Sequence, residues 1–226
     1  MPIDELKLYI GAQLDNLFPD KYHFDGVDVN NALNLALQRT EYCFKHISMP
    51  HYTREGKIWF DHLHSDQYSA FLYFLSNSLW EQSENKPLCD KLILLNKALN
   101  SLFISYKCRM PDIFCLSHPV GTVLGNAEYS DFLCVLNNVT VNTSYGDGSK
   151  PKIGRGVYLS AGASIIGNKT IGSFSSIGVN TLVFNIDIPE NSIVFTDQEG
   201  FLRIKTNKKE CYAQSVFNVQ LTGGDV

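Results

Sequence analysis

Apolar residues in the first hundred positions recur at steps of three and four, the spacing that places side chains on one face of a helix. Four such stripes predict four amphipathic helices that pack in a core. Asp28 is predicted to cap the second helix, and Ser65 or Asp66 to start the third. Pro87 suits the first turn of the fourth, and residues 49–61 are predicted to form a connecting loop. The stripes are Ile3, Leu6, Ile10, Leu14 and Leu17; Val29, Leu33, Ala36, Thr40, Cys43 and Ile47; Tyr68, Phe71, Leu72, Leu75 and Leu79; and Leu88, Leu92, Leu95, Leu99 and Phe103.

The second half of the chain has a different period, which is six. From residue 153 the sequence divides into IGRGVY, LSAGAS, IIGNKT, IGSFSS, IGVNTL and VFNIDI, each opened by an aliphatic residue. The same phase extends backwards to Val123, Tyr129, Val135 and Val141. Residues 147–152 fill one block without an aliphatic opener and are predicted to project as a loop.

Glycine follows this division of the chain. Ten of the 16 glycines lie between Gly121 and Gly178, whereas only three precede residue 117. A short Gly-punctuated hexapeptide has room for one strand and a turn, and stacked coils bury the opening aliphatic residues in a column. The pattern predicts a parallel β-helix with three hexapeptides, about 18 residues, per coil.

These patterns predict an α+β protein in three parts. Residues 1–110 are predicted to form an α-helical N-terminal domain, residues 111–195 a β-helix domain, and residues 196–226 a C-terminal extension.

The repeat resembles the serine acetyltransferase branch of the hexapeptide acyltransferases, between Asp112 and Ser192. The resemblance implies a left-handed coil, a homotrimer with active sites between neighbouring β-helices, and acetyl-CoA as donor. The matching residues are His118, Gly121, Val123, Gly125, Val139–Val141, Pro151–Ile153, Ala161–Gly167, and Pro189 with Ser192.

His118 is the candidate general base. Transfer of an acetyl group from a thioester to an alcohol needs a group that accepts the hydroxyl proton, and the ordinary pKa of histidine, about 6.5, suits this task. His118 is the only histidine in the repeat, and the resemblance places it at the catalytic position. Asp112 matches the family's orienting carboxylate, although only six residues separate it from His118. Asp131 and Asp147 stay open as alternatives, from the same subunit or a neighbouring one.

The acceptor positions depart from the serine enzymes. Ser117 replaces an Asp before the catalytic His, and Ser149-Lys150 replace an Arg-His pair. Loss of the Arg and His removes contacts to an α-carboxylate. We therefore expect a sugar O-acetyltransferase acting on a surface polysaccharide or its precursor, with Ser117, Ser149 and Lys150 at the acceptor. Serine O-acetylation is the alternative, followed by N-acetylation of an amino sugar and by a non-catalytic β-helix scaffold.

Acetyl-CoA is expected to lie along one column of the coil. Residues 18 apart stack in neighbouring coils, so Ala161 and Val179 share a column, with Gly162 and Asn180 beside them. The resemblance implies that these positions offer backbone groups to the pantetheine arm, and small residues allow close approach. No metal is expected, because a γ-type carbonic anhydrase would need three zinc-binding histidines in the repeat.

Composition excludes other partners. The net charge of −4 argues against general nucleic-acid binding. No apolar run approaches the ~20 residues of a membrane span, and the first 20 residues do not resemble a signal peptide. The six cysteines form no CxxC pair, which indicates reduced thiols and a cytoplasmic location.

Overall fold

The computed structural model describes residues 1–143 and 149–221. Four α-helices come first, and they follow the predicted stripes. The helix α3 packs against both α2 and α4 and is buried on nearly all sides. None of the helices in the described ranges is long and apolar enough to cross a membrane. The helices are α1 (Ile3–Leu17), α2 (Val27–Phe44), α3 (Ser65–Ser83) and α4 (Lys86–Asn100).

The predicted cap of α2 is wrong. This helix begins at Val27, with Gly26 at the N-cap, so Asp28 lies in the first turn. Asp28 Oδ2 instead accepts a hydrogen bond of 2.9 Å from Asn85 Nδ2. Because Asn85 caps α4 through Leu88 N, Asp28 joins the start of α2 to the start of α4. The predicted loop over residues 49–61 contains a 3₁₀ turn and a small antiparallel hairpin.

Short strands dominate the rest of the chain and confirm the α+β class. Within the described residues they form the small hairpin β1-β2 and three larger sheets. The first sheet has the order β16-β15-β13-β10-β7-β4, the second β14-β11-β8-β5-β3, and the third β12-β9-β6. The strands are β1 (Thr53–Arg54), β2 (Lys57–Ile58), β3 (Phe103–Ile104), β4 (Phe114–Leu116), β5 (Val123–Leu124), β6 (Glu128–Tyr129), β7 (Leu133–Val135), β8 (Thr140–Asn142), β9 (Lys152–Ile153), β10 (Tyr158–Leu159), β11 (Ser164–Ile166), β12 (Thr170–Ile171), β13 (Ser176–Ile177), β14 (Leu182–Phe184), β15 (Ser192–Thr196) and β16 (Leu202–Thr206).

From β4 to β14 the chain visits the three sheets in turn, and the paired strands within each sheet are parallel. We call this three-sided arrangement the coil. Tyr158 lies opposite Ser176 and Ser164 lies opposite Leu182, each 18 residues further along the chain. The aliphatic openers of all six blocks are buried, as predicted: Ile153, Leu159, Ile165, Ile171, Ile177 and Val183.

An insertion interrupts this register before β9. Cys134 pairs with Tyr158 and Thr140 with Ser164, a step of 24 residues, six more than the regular 18. The extra residues enter between β8 and β9, where a loop was predicted over 147–152. Lys152 lies in β9 rather than in the loop, and residues 147 and 148 fall outside the described residues.

The predicted phase fails in the first coil. Val123 was expected to point inward, but Leu124 is the buried residue and pairs with Val141, 17 residues on. This coil is one residue shorter than the repeat along the second sheet. Since side chains alternate along a strand, a shift of one residue exchanges the inward and outward positions.

Candidate active site

His118 lies in the turn that leads from β4 to β5. Its backbone φ is +51°, a left-handed conformation that is uncommon for a residue with a side chain. Hydrogen bonds from Val120 N to His118 O (2.7 Å) and from Ser117 N to Val135 O (2.9 Å) fix the turn on the coil. The imidazole is 84% exposed, so its ring is open to a substrate.

The carboxylate that faces this ring comes from the helical half of the chain. Asp66 lies in the first turn of α3, and its side chain is only 6% exposed. Its Oδ2 accepts a hydrogen bond of 2.9 Å from His118 N and lies 3.5 Å from His118 Nδ1. The second distance is too long for a good hydrogen bond but brings the negative charge against one nitrogen of the ring. No sequence motif singled out Asp66 for this place; the sequence indicated it only as a helix start.

Asp112 does not have the place predicted for it. It is exposed and precedes β4, whereas His118 follows that strand. A strand advances about 3.3 Å per residue. Asp112 and His118 therefore lie at opposite ends of the extended β4 segment, too far apart to contact each other within one chain. Asp131 also lies at the far end, where its Oδ1 accepts a hydrogen bond from Ile113 N. Asp147 falls outside the described residues.

Two further histidines stand beside Asp66. The rings of His51 and His64 stack at a centroid distance of 4.5 Å and an interplanar angle of 11°. Burial, followed by the charges of His64 and His118, lowers the pKa of His51, and the Asp66 carboxylate opposes this shift. In the described part of the chain, His64 Nδ1 is buried without a hydrogen-bond partner. The described ranges contain no group of three or more His, Cys, Asp or Glu residues arranged to hold a metal ion.

The predicted cofactor residues share one edge of the coil with His118. We call this the His118 edge: the turns at 117–122, 136–139, 160–163 and 178–181, between the first and second sheets. Backbone hydrogen bonds of 2.9 Å connect successive turns, from Asn138 N to Val120 O, from Gly162 N to Asn137 O, and from Asn180 N to Ala161 O. Val179 and Asn180 are exposed, and Ala161 and Gly162 are half-buried. The edge is therefore an accessible ladder of small residues that starts at His118.

The predicted acceptor residues are divided between two edges. Ser117 belongs to the His118 edge and is half-buried. Ser149 and Lys150 lie just before β9, a strand of the third sheet, so one chain does not bring them to His118. Lys150 instead lines a cavity of about 600 Å³ together with Asp112 and Asp131. Ser149 Oγ accepts a hydrogen bond of 2.7 Å from Asn168 Nδ2.

No protein-family model matches the chain. Among curated proteins, serine acetyltransferase 2 of Arabidopsis thaliana is 29% identical over 149 residues, which are 63% of this chain and 45% of that protein. The serine acetyltransferase of Haemophilus influenzae is 36% identical over 76 residues, 32% of this chain and 28% of that protein. The chain therefore spans less than half the length of these relatives.

Solved structures extend the likeness to the whole fold. A serine acetyltransferase in complex with cysteine has a TM-score of 0.69 at 20% identity, covering 92% of this chain and 81% of that one. A serine acetyltransferase in complex with CoA has a TM-score of 0.66 at 20% identity, covering 90% and 84%.

These comparisons overturn the predicted sugar acceptor. The matching proteins are serine acetyltransferases by sequence and by structure, so the prediction of polysaccharide O-acetylation is wrong. The prediction rested on Ser117 in place of an Asp and on Ser149-Lys150 in place of an Arg-His pair, and differences at these positions do not by themselves identify the acceptor. The chain has the fold of the serine acetyltransferases.

Proposed function

We propose that this protein is an acetyl-CoA-dependent O-acetyltransferase whose acceptor is serine. The observation that carries the proposal is the exposed ring of His118 at one end of the His118 edge, the edge that also holds Ala161, Gly162, Val179 and Asn180. The likeness to serine acetyltransferases, including one in complex with CoA, supports the choice of donor and acceptor.

His118 can serve as the base through Nε2. Because Nδ1 faces the Asp66 carboxylate, the neutral ring is best stabilised with its proton on Nδ1, which leaves the Nε2 lone pair for the substrate. Nε2 accepts the hydroxyl proton while the serine oxygen attacks the thioester carbon. The C–S bond then breaks, and the proton held by His118 passes to the CoA sulfur.

The donor would lie along the His118 edge. Ala161 and Gly162 are half-buried there, and the exposed Val179 side chain offers an apolar contact. Small residues suit a pantetheine arm, which needs close approach to backbone groups.

The proposal includes a left-handed coil and a homotrimer with sites shared between subunits. Ser149 and Lys150 lie on a different edge from His118, so they reach an acceptor bound at His118 only from a neighbouring subunit. A closed cyclic trimer provides such a contact three times.

The test is steady-state kinetics with acetyl-CoA and L-serine, followed by CoA thiol release and by mass spectrometry of the acetylated product. His118→Ala should lower kcat/KM at least about 10²-fold, the lower range for loss of a general base. His23→Ala is the matched control, since His23 is exposed and its Nδ1 lies 3.2 Å from Asp15 Oδ1.

Three results would overturn the proposal. A folded protein that transfers no acetyl group to serine contradicts the function and favours a non-catalytic scaffold. Full activity of His118→Ala removes the base assignment. A preference for L-threonine or L-homoserine over L-serine corrects the acceptor.

A further inference from the structure

One carboxylate from the helical half reaches the turn that carries the proposed base. Asp66 is 52 residues before His118, on a buried helix that belongs to a different layer of the molecule. We propose that Asp66 is the positioning residue of His118, supplied by α3 rather than by the repeat. This inference rests on the proposed function and extends it by one residue.

The first contact fixes the backbone of His118. A non-glycine residue in the left-handed region is strained relative to the common conformations, and a hydrogen bond to its backbone N–H helps to hold the turn. Asp66 Oδ2 accepts the His118 N–H at 2.9 Å, and a hydrogen bond to a carboxylate is roughly twice as strong as one between neutral groups. This hydrogen bond therefore fixes the backbone position from which the His118 ring projects.

The second contact acts on the ring itself. The same oxygen lies 3.5 Å from Nδ1, close enough for the carboxylate charge to favour a proton on that nitrogen. It also stabilises the imidazolium that forms when Nε2 accepts the hydroxyl proton. Asp66 does not touch the reacting atoms, so its contribution passes through His118.

A purely structural role would not need a charge at this position. An asparagine oxygen could accept the backbone N–H without the desolvation cost of a buried carboxylate. The cost is reduced by the N-terminal end of α3 and by Ser65 Oγ, which lies 3.3 Å from Asp66 Oδ1. Neither the helix end nor Ser65 requires the carboxylate to face an imidazole, yet the Asp66 carboxylate does face one.

Several titratable groups lie around Asp66, and a titration experiment must distinguish their signals from one another. From the loop before α3 come His51 and His64, and from the coil come His118 and Cys115, with the Tyr52 hydroxyl nearby. His118 is the one whose backbone and ring both lie within 3.5 Å of the carboxylate.

Asp66→Asn separates the two contacts, because the amide oxygen still accepts the backbone N–H while the charge is lost. We expect kcat to fall roughly 10²-fold, less than for a carboxylate in a direct hydrogen bond with its histidine, with KM for acetyl-CoA unchanged. The acid limb of the pH–rate profile should move to lower pH, since the imidazolium loses its stabilising anion. In a His118→Ala background the same change should cause no further loss. Asp61→Asn is the matched control, because the Asp61 carboxylate also faces a histidine, at 3.9 Å from His62 Nδ1, and accepts a hydrogen bond from Leu63 N rather than from His118.

An NMR titration of the His118 ring makes the test independent of turnover. The midpoint should fall in Asp66→Asn and stay unchanged in Asp61→Asn. Unchanged kcat, acid limb and midpoint in a folded Asp66→Asn variant would falsify the positioning role while leaving serine acetylation intact. A shifted midpoint in a protein without acetyltransferase activity would instead uphold the Asp66–His118 pairing and refute the proposed function.

Discussion

At the scale of single residues, burial determines the chemistry of the cysteines. All six are free and buried. Burial raises the pKa of Cys43 and of Cys89 to about 12, and that of Cys108 to about 11. Because the thiolate is the reactive form of cysteine, these side chains are structural and not nucleophilic, although the sequence alone does not separate the two roles.

We predict that the native protein is inert to thiol reagents at pH 8. Ellman's reagent should react slowly or not at all with the folded chain, because all six thiols are buried. After denaturation in guanidinium chloride, all six thiols should react. Rapid reaction of one thiol in the native state would contradict the burial of that side chain.

The candidate site shows which of its residues could be predicted from the sequence alone. His118 could be proposed from its own motif, since the base and the flanking turn are contiguous. Asp66 could not, because its contact with His118 depends on how α3 packs against the coil, and nothing in the sequence near either residue records that packing. Asp112 was preferred because it matches the family's orienting carboxylate, but the extended β4 holds it apart from His118.

At the scale of elements, glycine marks the points where successive coils approach closely. A Cβ added to Gly154 would lie 2.6 Å from Ser173 N and 2.9 Å from Ile171 O, both backbone atoms of the next coil. Gly11, in α1, has open space, with the nearest atom, Phe24 Cβ, at 3.9 Å. Glycine is thus needed for the close approach of the coils at Gly154, whereas the helix has room for a side chain at Gly11.

We predict that Gly154→Ala and Gly11→Ala change stability in opposite directions. Gly154→Ala should lower the free energy of unfolding by about 1–3 kcal/mol, because the backbone must move to accept the methyl group. Gly11→Ala should raise it by about 0.5–1 kcal/mol through helix propensity. Urea unfolding of both variants measures the difference, and equal midpoints would show that the coils have room to relax.

The elements themselves could be predicted where their period is regular. The buried column from Ile153 to Val183 follows directly from the hexapeptide phase. The phase failed at Val123 because the first coil differs in length. The cap of α2 was mistaken because Asp28 bonds to Asn85 of a distant helix rather than to its own helix end. At the start of α2 and at the candidate site alike, contacts between residues distant in sequence determine the structure, and the local sequence pattern does not predict them.

At the scale of the whole molecule, buried contacts tie the helices to the coil. The Tyr73 hydroxyl, on α3, donates to Cys108 O at 2.8 Å and accepts from Met110 N at 2.9 Å. Phe74 packs on Phe114 of β4 at a centroid distance of 5.3 Å. The chain returns to the helices near its end, where Ser48 N donates to Val216 O at 2.8 Å. The proposed Asp66–His118 pair spans the same boundary, so its geometry depends on this packing.

We therefore predict that the two parts unfold together and that Tyr73→Phe destabilises both. Loss of the hydroxyl leaves one buried carbonyl and one buried N–H without their partner, at a combined cost of about 2–4 kcal/mol. Tyr212→Phe is the control, since Tyr212 is exposed and its substitution should stay within about 0.5 kcal/mol. Thermal unfolding by far-UV circular dichroism reports the helices, and hydrogen exchange by mass spectrometry reports strands such as β7 and β10. A single transition, shifted equally for both probes in Tyr73→Phe, is expected. Strands that stay protected after the helices melt would show that the coil is stable alone, and the proposed site would then lose Asp66 before it loses His118.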